Sequence, residues 1–127
     1  MKMDILDSSA WLECLNEGPN TSQFVPIISK HPNLIVPSVI ITEIRKVVIR
    51  QRGVDVAEKI TRSLLASYVI PIDVDIAVSA ADIGVKFKLP LADSLIYATA
   101  LKYKATLWTQ DEDFKGLPHV KYFPKSK

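Results

Sequence analysis

Met3-Asp4-Ile5-Leu6-Asp7-Ser8-Ser9-Ala10-Trp11-Leu12 is a short apolar run, an acid, and two small hydroxyl residues before apolar residues resume. The run reads as a buried strand, and the hydroxyl side chains directly after it suit the start of a helix. The unit is therefore strand, acid, helix, and it returns along the chain. Leu34-Ile35-Val36 is a second β-rich run, after which Pro37-Ser38 opens a helix that carries Glu43 and ends at Gly53. Ile40, Ile44, Val47 and Val48 form its apolar stripe, and Glu43 lies beside that stripe, pointing partly inward. Residues 106–109 are another strand, followed at once by Gln110-Asp111-Glu112-Asp113-Phe114. Pro90-Leu91 opens a helix reaching about residue 104, with Asp93 in its first turn.

The remaining chain fits the same alternation. Helices are predicted over residues 8–16, 20–30, 54–66 and 74–86, a strand over 68–72, and a short fifth strand over 120–123. Pro71 suits the edge or the end of its strand, since it cannot donate to a ladder. Strands alternating with helices imply an α/β three-layer sandwich, a central and mostly parallel sheet of four to five strands flanked by helices. In open parallel sheets the functional crevice lies beyond the carboxyl ends of the strands. Asp7 and Asp111 directly follow strands, Glu43 comes in the first turns after one, and Asp93 sits at a helix start. Four acids far apart in sequence are thereby expected to meet at one sheet edge. Asp4 stands before the first strand and is left out of that set.

At 127 residues, 48% of them hydrophobic and 24% charged, the chain has the size and composition of a single globular domain, 1–127. Sixteen basic against fourteen acidic residues give a net charge of +2, too small to argue for nucleic acid from bulk charge. Cys14 is alone, so no intramolecular disulfide forms and a reduced compartment is the simplest reading. The N-terminus lacks a signal-peptide pattern and the apolar runs are too short to span a membrane, so a cytoplasmic location is expected. With four glycines there is no phosphate-cradling loop. His31 and His119 have no metal-ligand spacing with each other or with Cys14; they are expected at the surface, and no zinc site is indicated.

Clustered carboxylates repel unless a cation sits between them, and hard oxygen ligands favour Mg²⁺ or Mn²⁺. Each acid also has a structural role open to it. Asp7 can cap the helix from Ser8, Glu43 can be a solvated helix residue, Asp93 can complement the helix dipole, and Asp111 with Asp113 can belong to an acidic turn. Asp113, two residues from Asp111, is assigned an auxiliary role. Ser9 and Thr109 each stand two residues from an acid, where a hydroxyl can orient a carboxylate. Asp73, Asp75 and Asp82 surround a helix start that capping explains. Trp11, Tyr97, Trp108 and Phe114 are assigned to packing. Arg45, Lys46, Arg50 and Arg52 form a basic run that is either a phosphate-contacting rim or a solvated helix face.

At these residues the chain resembles the PIN-domain nucleases, most closely the small VapC-like toxins of toxin-antitoxin pairs. The resemblance is carried by Leu6-Asp7-Ser8-Ser9-Ala10-Trp11, by Val36-Pro37-Ser38 with Thr42-Glu43, by Leu91-Ala92-Asp93-Ser94-Leu95-Ile96-Tyr97-Ala98, and by Leu107-Trp108-Thr109-Gln110-Asp111-Glu112-Asp113-Phe114. It covers nearly the whole chain. It implies a metal-dependent ribonuclease in which Asp7, Glu43, Asp93 and Asp111 hold Mg²⁺ or Mn²⁺, an RNA substrate, a homodimer, and a cognate antitoxin protein. A housekeeping RNA-processing nuclease and a non-catalytic interaction module are the rival expectations. A phosphohydrolase using an aspartyl-phosphate fits less well, because Ser9 stands where the second acid of its usual pair belongs.

Overall fold

The computed structural model describes residues 2–29 and 33–125. Lys30, expected to end the second helix, and His31, expected at the surface, lie outside the described residues. The elements run β1 Asp4–Leu6, α1 Ser8–Leu15, α2 Thr21–Ile28, β2 Ile35–Pro37, α3 Ser38–Arg52, α4 Val54–Leu65, β3 Tyr68–Ile70, α5 Val74–Phe87, α6 Leu91–Lys102, β4 Thr106–Thr109 and β5 Val120–Tyr122, with a 3₁₀ turn at Glu112–Phe114. Most predicted bounds hold within two residues.

All strand pairings are parallel. One ladder runs β1-β4-β5 and a second β2-β3. Ile5 stands opposite Leu107, Leu107 opposite Val120, and Val36 opposite Val69. A single parallel bridge between Asp4 and Leu34, with Asp4 N–H donating to the Asn33 carbonyl at 3.0 Å, joins the two ladders. The spatial order is thus β3-β2-β1-β4-β5. Ile5, Leu6, Ile35, Val36 and Leu107 are fully enclosed, as expected for parallel strands covered on both faces, which read as continuous apolar runs and not as alternation.

The helices complete the layers. On α3 the buried positions are Ile40, Ile44 and Val48, one face at helical spacing. Helix α6 is different, burying Ser94 and every residue from Ile96 to Ala100, so it is enclosed on most sides. It packs along α5 and also meets α3 and β4. Helix α5 stops in a left-handed residue, Lys88 at φ 57°, while the N–H groups of Lys88 and Leu89 return to the Gly84 carbonyl. That reversal directs the chain through Leu89-Pro90 into α6 and fixes where Asp93 begins.

Two expectations change. The third strand ends at Ile70, not Ile72, because Pro71 has no N–H to give and the Ile72 N–H turns instead to Ser38 Oγ at 3.2 Å. Asp4 belongs to β1 and does not precede it. It is buried, and its carboxylate accepts Trp108 Nε1–H at 2.9 Å across the β1-β4 pair. Trp108 packs as expected, stacked on Phe123 with centroids 5.9 Å apart. Tyr97 and Phe114 are buried beside each other, and the Tyr97 hydroxyl donates to the Pro118 carbonyl at 2.8 Å. His119 is exposed.

Candidate active site

The carboxyl end of β1 delivers Asp7 as N-cap of α1. Its Oδ1 accepts the Ala10 N–H at 2.9 Å and the Ser9 hydroxyl at 2.6 Å, and its Oδ2 accepts the Thr109 hydroxyl at 2.5 Å. Capping and site membership are therefore not alternatives for this residue. Ser9 and Thr109 do orient a carboxylate, the same one from both sides. Asp7 is only 2% exposed, and burial, the leading cause, pushes its carboxyl up to about 6 although the three hydrogen bonds pull the other way. The Asp111 charge adds to the rise.

The carboxyl end of β4 delivers the second acid. Asp111 caps the 3₁₀ turn and accepts the Asp113 N–H at 2.9 Å, while its own N–H donates to Thr109 Oγ1 at 2.9 Å. Thr109, fully buried, thus ties Asp7 to the Asp111 backbone through one oxygen. The tight turn brings Asp113 back beside Asp111. Asp93, Asp111 and Asp113 each place one carboxylate oxygen so that all three lie within 4.8 Å of one another. Among the described residues, this is the one acidic group with that spacing.

Asp93 sits in the first turn of α6, where the dipole favours its charge by about 0.3–1 kcal/mol. Its surroundings outweigh that preference. Burial first, then the charges of Asp111, Asp7, Glu43 and Asp113, push its carboxyl up to about 8. The other three expected acids and the auxiliary Asp113 therefore all act on Asp93. Glu43, on α3, is held by the Ser8 hydroxyl at 2.9 Å. Neither Asp7 nor Glu43 joins the 4.8 Å group, so the tightest set contains Asp113 where the sequence reading had Asp7 and Glu43.

Two open clefts flank these acids. One, of 430 Å³, is lined by Ser8, Ser9, Glu13, Asn16, Gln110 and Lys125 among others. The other, of 410 Å³, runs past Asp111, Asp113, Tyr122 and again Gln110 and Lys125. Gln110, to which the sequence reading gave no role, is 4% exposed and is the wall between them. Its N–H donates to Ser9 Oγ at 3.1 Å, and its Oε1 accepts Asn20 Nδ2–H at 2.6 Å. The signal for it was its place, one step beyond β4 on the functional edge. The basic run of α3 is not part of either lining. Arg45 pairs with Glu58 at 2.5 Å and Thr61 at 2.9 Å, and Arg52 donates to Asn16 Oδ1 at 2.8 Å.

A parallel sheet with acids from two strand ends and two helix starts gathered at one edge is the arrangement of the PIN fold. Residues 5–120 match the PIN domain, and the chain belongs to that family. Among solved structures it is similar to a toxin-antitoxin complex from Klebsiella pneumoniae, at 20% identity and TM-score 0.82 over 95% of this chain and 98% of that one. A sarcin-ricin-loop-cleaving VapC toxin of Mycobacterium tuberculosis aligns at 19% identity and TM-score 0.76, covering 94% and 98%. A DNA-bound VapBC complex from Salmonella typhimurium aligns at 14% identity and TM-score 0.73, covering 98% of each chain. By sequence, no curated protein matches. Among the described residues, no helix is long and apolar enough to cross a membrane.

Proposed function

We propose that the protein is a divalent-metal-dependent endoribonuclease acting in the cytoplasm as the toxin of a toxin-antitoxin pair, probed most directly at Asp93. The observation that carries this reading is the gathering of Asp93, Asp111 and Asp113 within 4.8 Å, with Asp93 pushed up by burial and then by four neighbouring acids, and no ion pair to any of them among the described residues. Such a site fits a hard cation: the donors are all carboxylate oxygens, and three of them already lie within 4.8 Å. Asp7, Glu43, Asp93 and Asp111 are the residues assigned to hold Mg²⁺ or Mn²⁺, with Asp113 supporting Asp111. A bound divalent ion supplies an activated water and charge neutralisation at a scissile phosphodiester.

The remaining parts are the chain's own. Ser9 and Thr109 fix both oxygens of Asp7, so its free lone pairs point in set directions. Ser8 holds one oxygen of Glu43, Oε1. Asp93 accepts no hydrogen bond among the described residues, and burial with the neighbouring acids pushes its carboxyl up to about 8, so a cation there would relieve it. Single-stranded or looped RNA suits the clefts, because an unpaired backbone can bend into them. Similar structures include toxin-antitoxin complexes and a sarcin-ricin-loop-cleaving toxin, which supports an antitoxin as the natural partner. The acids would accept one of its basic side chains, best an Arg with its bidentate fork. A homodimer completes the proposed assembly.

The test is incubation of the purified protein with labelled RNAs, with and without Mg²⁺ or Mn²⁺, beside Asp93→Asn. Cleavage that needs the metal and is lost in the variant is expected. Cleavage by the variant in EDTA would overturn the metal mechanism.

A further inference from the structure

We infer that Lys125 is a substrate-positioning residue that grips a backbone phosphate of the RNA strand lying across the two clefts. The inference rests on the ribonuclease reading and extends it to the path of the substrate. Both clefts are lined by acids, Glu13 in one and Asp111, Glu112 and Asp113 in the other. An RNA backbone entering either one meets charge of its own sign. Among the described residues, Lys125 is the one cationic side chain lining either cleft, and it lines both. It therefore stands at their junction beside Gln110, where a strand passing from one cleft to the other must cross.

The chain holds this position in place. Asn20 Nδ2 donates to Gln110 Oε1 at 2.6 Å and to the Pro124 carbonyl at 2.9 Å. Phe123 N–H donates to the Thr109 carbonyl at 2.9 Å, extending β5 along β4 past the last paired residue. Asn20 is itself fixed, since its N–H donates to Glu13 Oε2 at 2.7 Å. One side chain thus clips the segment before Lys125 to the residue preceding Asp111. The Lys125 ammonium makes no hydrogen bond or ion pair among the described residues, unlike Arg45 and Arg52, whose guanidinium groups are engaged within the fold. A phosphate held by a flexible ammonium is a point-charge contact that sets register without reading sequence.

Steady-state cleavage of a labelled single-stranded RNA in Mn²⁺, measured over a series of salt concentrations, tests this with Lys125→Ala, Lys125→Arg and, as a control on an exposed helix, Lys59→Ala. Lys125→Ala is expected to raise KM about 5-fold to 10-fold with kcat kept within about twofold, and to lower the slope of log kcat/KM against log salt by about 0.7, the share of one phosphate contact in a single strand. Lys125→Arg restores both, and Lys59→Ala changes neither. An unchanged KM and salt slope in Lys125→Ala, or a loss confined to kcat, overturns the assignment while leaving the ribonuclease reading intact. A parent protein that neither binds nor cuts RNA overturns both.

Discussion

Replacing Asp93 by Asn removes one charge at nearly constant volume from the place where the acids press hardest on one another. A carboxyl held at about 8 against its ordinary 3.8 sets an upper bound of about 6 kcal/mol, at about 1.4 kcal/mol per pH unit. Asp93 is only partly buried, so solvent screening reduces this strongly, and the lost dipole contribution of about 0.3–1 kcal/mol opposes it. A net gain of about 0.5–2 kcal/mol for Asp93→Asn in EDTA remains, within the range by which active-site strain commonly trades stability for activity. For a chain of this size that is about 2–10 °C in Tm. The sign with pH follows from the direction of the shift. A carboxyl whose folded pKa lies above its unfolded one binds its proton more tightly when folded, so it contributes stability below the unfolded pKa that is lost as pH rises through the folded one. The parent in EDTA should therefore lose stability between about pH 4 and 8, and the advantage of Asp93→Asn should grow from near zero at the acid end to its full size above pH 8. Asp7, pushed up to about 6, adds a loss between about pH 4 and 6 that is common to both proteins. Added Mg²⁺ should stabilise the parent more than the variant, since binding to the native state alone adds stability. Thermal melts across pH, in EDTA and in Mg²⁺, decide the matter. A variant less stable than the parent at every pH, with an equal response to Mg²⁺, would mean that Asp93 serves the helix start and no metal site.

Three more perturbations separate the roles of neighbouring groups. Asp7→Asn should abolish RNA cleavage and relieve toxicity on expression, and robust cleavage by it in EDTA would refute its assignment as a metal ligand. Thr109→Val strips the hydroxyl that serves both the buried Asp7 Oδ2 and the half-buried Asp111 N–H; leaving them unsatisfied should cost about 1–3 kcal/mol in a denaturant titration, with Thr109→Ser recovering most of it. A Cβ at Gly84 would stand 2.6 Å from Ser94 Oγ, which is bonded to the Leu89 and Pro90 carbonyls. Gly84→Ala should therefore destabilise by about 1–3 kcal/mol, and the double variant with Ser94→Ala should be more stable than Gly84→Ala alone, a coupling readable in a double-mutant cycle.

Period and punctuation made most of the fold legible. Pro37-Ser38 and Pro90-Leu91 open helices where expected, Gly53 closes one, and the apolar runs at Ile5, Val36 and Leu107 are strands because each is enclosed on both faces. The site was legible to the extent that topology alone fixes it: Asp7 and Asp111 end neighbouring strands, so one edge must hold both. What sequence did not reveal depends on distance in space between residues remote in the chain. Asp113 joins Asp93 because a 3₁₀ turn capped by Asp111 folds it back, a local geometry that no period announces. Asn20, Gln110 and Pro124 form one clip although 90 and 104 residues separate them. The run of Arg45, Lys46, Arg50 and Arg52 reads in sequence as either a phosphate rim or a solvated helix face; helical spacing scatters its members, and Arg45 and Arg52 meet Glu58 and Asn16.

The way the acids are held bears on what can occupy them. Among the described residues the two ion pairs are Arg45 with Glu58 and Lys102 with Asp73, and neither touches the acidic edge. The site acids are fixed instead by neutral donors, the hydroxyls of Ser8, Ser9 and Thr109 and the N–H groups of Ala10 and Asp113. Hydroxyls orient a carboxylate without cancelling its charge, so the neighbouring acids still push Asp93 up in the folded chain. An internal Lys or Arg would remove that repulsion and, with it, the affinity for any outside cation. A divalent ion, or a basic side chain of a bound partner, therefore competes for the same unfilled electrostatic role. The two should be mutually exclusive: raising Mg²⁺ should weaken the binding of a partner that enters through an Arg, and an Asp93→Asn protein should show a smaller Mg²⁺ dependence of that binding.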